Sequence, residues 1–194
     1  ALAQRAGQGD PEALAALAER VFDRVRATVS YLVGSDRDAD DLVQVAMVQI
    51  LRSASGYRGE GSLDGWADRV TVRHAMRHLK RRGRRAEVSL ADDEAGWLEN
   101  EGAVERAPTP SLEDEAQRRQ LHQRLARVLG RLKPERRVAV VLRWVHGYTI
   151  QEIADMTDVR LNTARGRLRT GKKELRHLVQ RDPVLRRWEA LVTS

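Results

Sequence analysis

Between residues 10 and 33 apolar side chains return every three or four positions: Leu14, Leu17, Val21, Val25, Val29 and Leu32. That spacing puts them on one face of an α-helix. Asp10 followed by Pro11 makes a start signal, an N-cap and then a residue whose missing N–H costs nothing at the first helical position. Gly34 supplies the stop. A second helix is predicted in "SDRDADDLVQVAMVQILRSA" (35–54), capped by Ser35 or Asp36. Asp38, Asp40 and Asp41 suit the positive end of that helix, and Leu42, Val45, Ala46, Val48 and Ile50 give it a broad apolar side. After the turn "GYRGEGS", a third helix runs through "LDGWADRVTVRHAMRHLKRR" with Trp66, Val70 and Leu79 pointing one way.

The pattern resumes near residue 118. "SLEDEAQRRQLHQRLARVLGRL" predicts a helix capped by Ser111 with Leu121, Leu125, Val128 and Leu132 inward. "KPERRVAVVLRWVHG" predicts another, beginning at Pro134 and closed by Gly147. In "YTIQEIADM", Thr149 and Glu152 have the spacing of a capping box, with Ile150, Ile153 and Ala154 as buried positions. "TDVR" breaks the helix, and "LNTARGRLRTGKKELR" begins the next. Two short helices joined by such a turn are a helix-turn-helix. In the last helix Leu161, Ala164, Leu168 and Leu175 share one side, while Asn162, Arg165, Gly166, Arg169 and Lys173 share the other. A mid-helix glycine between two arginines is costly on propensity alone, by roughly 1 kcal/mol relative to alanine.

Residues 86–117 have no sustained apolar stripe. Acids occur at nearly every third position there, Arg106 is the only basic residue, and Gly96, Gly102, Pro108 and Pro110 interrupt the segment. Such composition disfavours a packed core and predicts a linker, with at most a short helix around Trp97. The expected fold is therefore all-α: two small helical domains, 1–85 and 118–194, joined by an acidic flexible linker, 86–117, with the helix-turn-helix in the second. After Pro183, "VLRRWEALVTS" reads as a short amphipathic tail carrying Trp188 and Leu191.

Composition narrows the chemistry. The 194-residue chain contains no cysteine, which excludes disulfide scaffolds, Cys-ligated zinc and thiol catalysis. No apolar run approaches the roughly 20 residues that span a bilayer, and the N-terminal stretch lacks the apolar centre of a signal peptide, so a cytoplasmic protein is expected. A net charge of +7 favours an acidic partner. The charge is also organised. Arg69, Arg73, Arg77 and Arg81 recur at steps of four with no acid between Arg69 and Arg85, a stripe suited to phosphates, although a solvated face is the usual role of such a run. Arginine can give paired hydrogen bonds to guanine, and Lys172 and Lys173 can reach phosphates. His74 and His78 lie at i, i+4, a metal-ligand spacing, but the surrounding arginines disfavour a cation. Neither a nucleophile with its base nor a phosphate-cradling glycine loop appears. No enzyme, cofactor, metal or small-molecule substrate is expected.

The segment "TIQEIADMTDVRLNTARGRLRTGKKELR" resembles the promoter-reading helix-turn-helix of bacterial sigma factors of the extracytoplasmic-function (ECF) group, in the sigma-70 family. Asn162 to Leu168 fall on its "GTVKSRL" positions. Two further motifs agree in order. "SDRDADDLVQVAMVQILRS" resembles the "DAEDLVQE" helix, and "YRGEGSLDGWADRV" resembles the "FRG-x-SSFRAWLYRI" segment. Together these resemblances cover nearly the whole chain. They differ from the pattern at Val45, where an acid is common; at Arg73 and Arg77, which replace Asn and Asp; and at Gly166, which replaces Ser.

The resemblance implies a non-enzymatic protein that docks on core RNA polymerase and directs promoter recognition, DNA opening and transcription initiation. It implies docking on the polymerase clamp coiled coil by Asp38, Asp41, Leu42, Gln44, Val45 and Val48. It implies minus-10 contacts from Tyr57, Arg58, Gly59, Glu60 and Ser62, with Arg69, Arg73 and Arg77 on nearby phosphates. Minus-35 contacts fall to Asn162, Thr163, Arg165, Gly166, Arg169, Lys172 and Lys173. An anti-sigma protein is a further implied partner. The alternatives are a helix-turn-helix regulator without sigma activity and a protein-binding helical adaptor, of which the first leaves "DADDLVQ" and "YRGEGS" without a role.

Overall fold

The computed structural model describes residues 2–34, 37–88 and 112–188. Among them are eight α-helices and no strand. They are α1 (Leu2–Gly7), α2 (Pro11–Val33), α3 (Arg37–Arg52), α4 (Leu63–Val88), α5 (Leu112–Gly130), α6 (Pro134–Trp144), α7 (Ile150–Thr157) and α8 (Leu161–Arg181), with 3-10 turns at Ala54–Gly56 and Leu185–Trp188. The expected caps at Ser35, Asp36 and Ser111, and the stretch around Trp97, lie outside the described residues. Helices α4 and α5 both reach into the acidic segment 86–117.

Helix α2 starts as its sequence dictates. The Asp10 carboxylate accepts hydrogen bonds from the N–H groups of Glu12 and Ala13, each at 3.1 Å, and Pro11 takes the first helical position. Those bonds lower the Asp10 pKa, the Ala13 bond most, with the Arg5 contact next. At the other end Gly34, with φ of 105°, returns its N–H to Ser30. Between these caps Leu17, Val21, Val25, Val29 and Leu32 are wholly buried. Helix α2 packs against α3 and α4, and also against α5 and α6.

That last contact goes beyond the sequence expectation of two helical units on a tether. The two blocks share one continuous core, from Leu17 and Val72 in the first to Leu142 and Ile153 in the second. Arg137 of α6 is buried, and donates to the carbonyls of Leu32 at the end of α2, of Gly130 at the end of α5 and of Leu132 just beyond it. Removal of this guanidinium from water lowers its pKa to about 10, with the positive charge of Arg82 a lesser cause. His122 of α5 stacks on Tyr31 at 4.5 Å between ring centroids and lies 3.0 Å from the Ser30 hydroxyl.

Helix α1 was not anticipated. Its buried residues are Ala3 and Ala6, with Leu2 partly buried against the core, and so short a set gives too weak a periodic signal. It lies tightly on the turn after α3: a Cβ on Gly7 would come within 2.4 Å of the Ser55 backbone.

In the second block α6 carries five consecutive buried apolar residues, Val138 to Leu142. Neighbours cover it on several sides, α8 on one and α2, α4 and α7 on others. Helix α7 has the full capping box: Thr149 accepts from the Glu152 N–H, and the Glu152 carboxylate accepts from the Thr149 N–H at 2.7 Å. Asp158 ends α7 in the left-handed conformation, which an Asx side chain tolerates better than most, and α8 follows three residues later. The 3-10 turn after Pro183 packs on α5 and α8, with Leu185 buried.

Candidate nucleic-acid interface

Helix α8 divides cleanly into two sides. Ala164, Leu168 and Gly171 are buried, while Leu161 and Leu175 are half-buried against the same core. At about 100° per residue, Asn162, Arg165, Gly166, Arg169 and Lys173 fall on the opposite arc; all are exposed except Gly166, which is intermediate. Lys172 lies at one margin of that arc, and Thr163 lies about a quarter-turn round on the other side, also exposed. An Arg165 guanidinium N–H donates to the Asn162 side-chain oxygen at 3.0 Å, so the arginine is held along the helix with its remaining donors free to face outward. A Cβ on Gly166 would meet nothing within 4 Å. A small concavity therefore lies between Arg165 and Arg169, where a nucleic acid edge can approach the backbone.

The second basic surface is on α4. Arg69, Arg73, Arg77 and Arg81 are all exposed, each turned about 40° from the one before. Their combined field reaches His74 beside them. Burial lowers the His74 pKa first, and the charges of Arg77, Arg73 and Arg81 lower it further. Burial and these cations together disfavour the charged ring, and the same cations would repel a metal ion. No cluster of three or more metal-ligating side chains occurs among the described residues.

The loop leading into α4 is shaped by two glycines with positive φ, Gly59 and Gly61, a conformation that costs glycine little. Tyr57 bridges the loop, donating its hydroxyl to the Gly61 carbonyl at 2.9 Å and lying 5.4 Å from the Trp66 ring. Trp66 is half-buried and packs on the core. Arg58 and Glu60 project outward and exposed. Ser62 has a local task that the motif alone did not disclose. Its hydroxyl accepts the Gly65 N–H at 3.0 Å, which caps the start of α4 and leaves its donor proton free for another partner.

Helix α3 presents the third surface. Asp38, Asp41, Gln44, Val45 and Val48 are exposed on one side, with Val45 at 46% and Val48 at 39%, one turn apart on the same face. Leu42 is only 6% exposed, on the inward arc with Ala39, Ala46 and Ile50 as the apolar periodicity predicts, whereas Val45 and Val48, expected on the same apolar side, face outward. Asp38 is also engaged within the chain, 3.6 Å from His78 and 3.8 Å from Arg82 of α4.

A polar cluster beside the basic surfaces escaped the sequence reading. Asp68 of α4 is wholly buried. Arg24 of α2 grips it through Nε and Nη2 at 2.7–3.0 Å, and the Tyr148 hydroxyl donates to it at 2.6 Å. Burial and then the Asp68 hydrogen bond raise the Tyr148 pKa, so the phenol stays protonated. Burial alone would lower the Arg24 pKa, but the bond and charge of Asp68 outweigh it and raise the value. His146 joins from the same turn as Tyr148, its Nε2 3.0 Å from the Thr28 hydroxyl and its Nδ1 3.8 Å from Asp68. The available signal was a carboxylate on the apolar side of α4, in register with Thr71, Val72 and Ala75.

Comparison with known proteins bears on all of these surfaces. Residues 17–85 match the model of Sigma-70 region 2, and residues 122–175 match that of Sigma-70, region 4. The ECF RNA polymerase sigma-E factor of Escherichia coli is 31% identical over 187 residues, covering 96% of this chain and 95% of that protein. The ECF RNA polymerase sigma factor SigE of Mycolicibacterium smegmatis is 32% identical over 156 residues, covering 79% of this chain and 56% of that protein. Two solved structures share the fold. One is CnrH in complex with the cytosolic domain of CnrY, with a TM-score of 0.61 and 21% identity, covering 93% of this chain and 96% of that one. The other is the sigma factor RpoE in complex with the anti-sigma factor NepR from Bartonella quintana, with a TM-score of 0.59 and 19% identity, covering 85% and 95%.

Proposed function

Since this chain belongs to the ECF sigma factors of the sigma-70 family, its role is to bind core RNA polymerase and direct promoter recognition and transcription initiation, and we propose how its surfaces divide that work. The α8 face of Asn162, Thr163, Arg165, Gly166, Arg169, Lys172 and Lys173 reads the minus-35 element in the major groove. Arg165 is the principal base reader, because its guanidinium is pre-positioned by Asn162 and can pair with a guanine edge. The loop Tyr57–Ser62 takes an unpaired base of the minus-10 element. The price of unstacking that base, a few kcal/mol, is offset by phosphate contacts to Arg69, Arg73 and Arg77. The outer side of α3, Asp38, Asp41, Gln44, Val45 and Val48, docks on the polymerase clamp coiled coil. It has the mixture of apolar centre and orienting charge that such an interface requires.

The observation that carries this assignment is the pairing of two separately exposed basic helix faces with an exposed Val45–Val48 patch on a third helix. A DNA-binding regulator needs only the first of these. The protein is not an enzyme, and no cofactor is required; nucleotide chemistry belongs to the polymerase. No helix among the described residues is long and apolar enough to cross a membrane, and we place the protein in the cytoplasm with its polymerase. An anti-sigma protein is a further partner, on the analogy of the neighbour solved in complex with the anti-sigma factor NepR. The test is reconstitution with core polymerase and no other sigma factor, followed by mapping of opened promoters. Opening at a shared sequence pair is the expected result; a polymerase that stays inert on all genomic DNA defeats the assignment. Val45→Asp should abolish docking while leaving DNA binding by α8 intact.

A further inference from the structure

We propose that Glu174 is a positioning residue for minus-35 reading: Arg136 of α6 draws it back, and the pair is a clasp that fixes the angle at which α8 enters the major groove. The proposal deepens the assignment of α8 above and rests on it.

Three observations carry it. The first is a charge out of place. Glu174 is the only acid in α8, against seven lysines and arginines. On a helix that meets phosphates an acid repels the ligand, and a neutral residue there would bind DNA more tightly by charge alone. Glu174 does not stand in solvent as a free charge. The Arg136 guanidinium donates to its carboxylate, and both side chains are mostly covered.

The second is the shape of the contact. Gly171 precedes Glu174 by three residues and so lies on the same side of α8. A Cβ there would lie 3.3 Å from the Arg136 carbonyl and 3.4 Å from the Arg136 Cβ. One residue of α6 therefore holds a turn of α8 both by its backbone and by its charge. The other support is α7, and Ala164 and Leu168 are buried in the first half of α8. Ala164 and Glu174 lie about 15 Å apart along the helix axis. Two supports at that separation fix a direction, whereas one alone leaves a pivot. With the clasp lost, α8 keeps its hold on phosphates, which position a protein without reading sequence. Arg165 and Arg169 lose the fixed approach that paired hydrogen bonds to a base edge require.

The third is repetition. Between residues 63 and 86 the only acids of α4 are Asp64 and Asp68. Each is gripped by an arginine of the helix behind it: Asp64 by Arg20 at 3.2 Å and Asp68 by Arg24 at 2.7 Å, both from α2. Arginines and aspartates are each spaced by four, so the pairs form two successive rungs. Every described acidic side chain on the two basic helices is thus paired with an arginine from a supporting helix. Acids placed only for solvation would follow no such rule.

The experiment uses the full chain reconstituted with core polymerase. Duplex promoters that differ by single bases in the minus-35 element compete for it, with a random-sequence duplex as the non-specific reference. Glu174→Gln removes the negative charge and keeps the shape. We expect preference for the cognate minus-35 sequence to fall about fivefold, while non-specific binding stays equal or tightens. Arg136→Ala should give the same fall in preference. The exchanged pair, Arg136→Glu with Glu174→Arg, should restore it, which a change of net charge cannot do. Asp64→Asn, the same kind of change on α4, should leave minus-35 preference untouched. Preference unchanged in both single variants overturns the clasp, as does an exchange that restores nothing or an equal fall in Asp64→Asn. Arg165→Ala separates the clasp from the assignment beneath it. If preference responds to Arg165→Ala but to neither clasp variant, α8 reads the element and only the clasp falls. If it responds to none of the three, the assignment of α8 falls with it.

Discussion

Helices α4 and α8 are built to the same plan, each long, basic and exposed along one side, yet their hidden sides differ. The back of α8 is covered within its own block: Ala164 and Leu168 are buried, and its main contacts are with α6 and α7. The back of α4 carries Ala67, Val72 and Ala75, but also Asp68, whose cover includes Tyr148 from the other block. An apolar back makes α8 a permanent part of its domain. A buried carboxylate in α4 has to be paired, and its partners come from both blocks, Arg24 from its own and Tyr148 from the other. The same amphipathic pattern therefore yields one basic helix backed by its own block and another whose base is covered in part by the other block.

The strongest way to test that difference is to damage the permanent side. Leu168→Ala should cost about 2–5 kcal/mol of stability, read by chemical denaturation. The loss should fall on the second block alone, so minus-35 binding weakens while docking through α3 persists. Equal loss of both functions would show that the two blocks fold as one inseparable unit. Next in size is Arg165→Ala, which leaves the α8 fold intact. It should reduce discrimination at one minus-35 position by about 1–3 kcal/mol, measured by competition among single-base promoter variants. Unchanged preference at every position would remove Arg165 from base reading.

The contact between the blocks should respond to acid. His146 and His122 both lie between the blocks, and burial lowers the pKa of each. Asp68 opposes the shift at His146 and Arg24 assists it, with Tyr148 and Thr28 as its uncharged neighbours. At His122 the Arg26 charge assists burial, and Tyr31 and Ser30 complete the surroundings. If the blocks separate, each ring returns toward its ordinary value of 6.5. Separated blocks thus bind protons more readily, and the stability of the packed arrangement is complete above that value and lost as pH falls through the depressed one. Lowering the pH from about 7.5 to about 5.5 should lower the free energy of unfolding, read by chemical denaturation. A gain in stability on acidification would reverse the sign and exclude these histidines as the responsive groups.

The legible parts of this molecule are those whose partners are close in sequence. The Asp10–Pro11 start of α2, the Thr149–Glu152 capping box and the two-sided pattern of α8 each complete themselves within a few residues, so the chain announces them. Asp68 does not: its partners Arg24 and Tyr148 lie 44 and 80 positions away, and nothing local distinguishes it from a solvent-facing acid except its place among Thr71, Val72 and Ala75. Val45 and Val48 show the converse. Periodicity puts them on the apolar side of α3 with Leu42, but the arc that α2 and α4 cover takes Leu42, Ala46 and Ile50 and leaves both valines exposed. Helix α1 was silent because Ala3 and Ala6 are small, and its seat on Ser55 is a tertiary contact.

The smallest expected effect concerns two glycines that look alike in sequence. At Gly171 a Cβ would lie 2.8 Å from Val140 and 3.3 Å from the Arg136 carbonyl, so α8 approaches α6 too closely for a side chain. Gly171→Ala should destabilise by about 1–3 kcal/mol. At Gly166 the same atom meets nothing within 4 Å, and the residue lies in regular helix. Gly166→Ala should therefore stabilise the free protein, by up to about 1 kcal/mol, through helix propensity alone. The informative measurement is the change in minus-35 affinity beside that gain. If affinity falls while stability rises, the missing methyl is space reserved for DNA between Arg165 and Arg169. If both rise together, the gap has no role in recognition, and α8 reads through its side chains only.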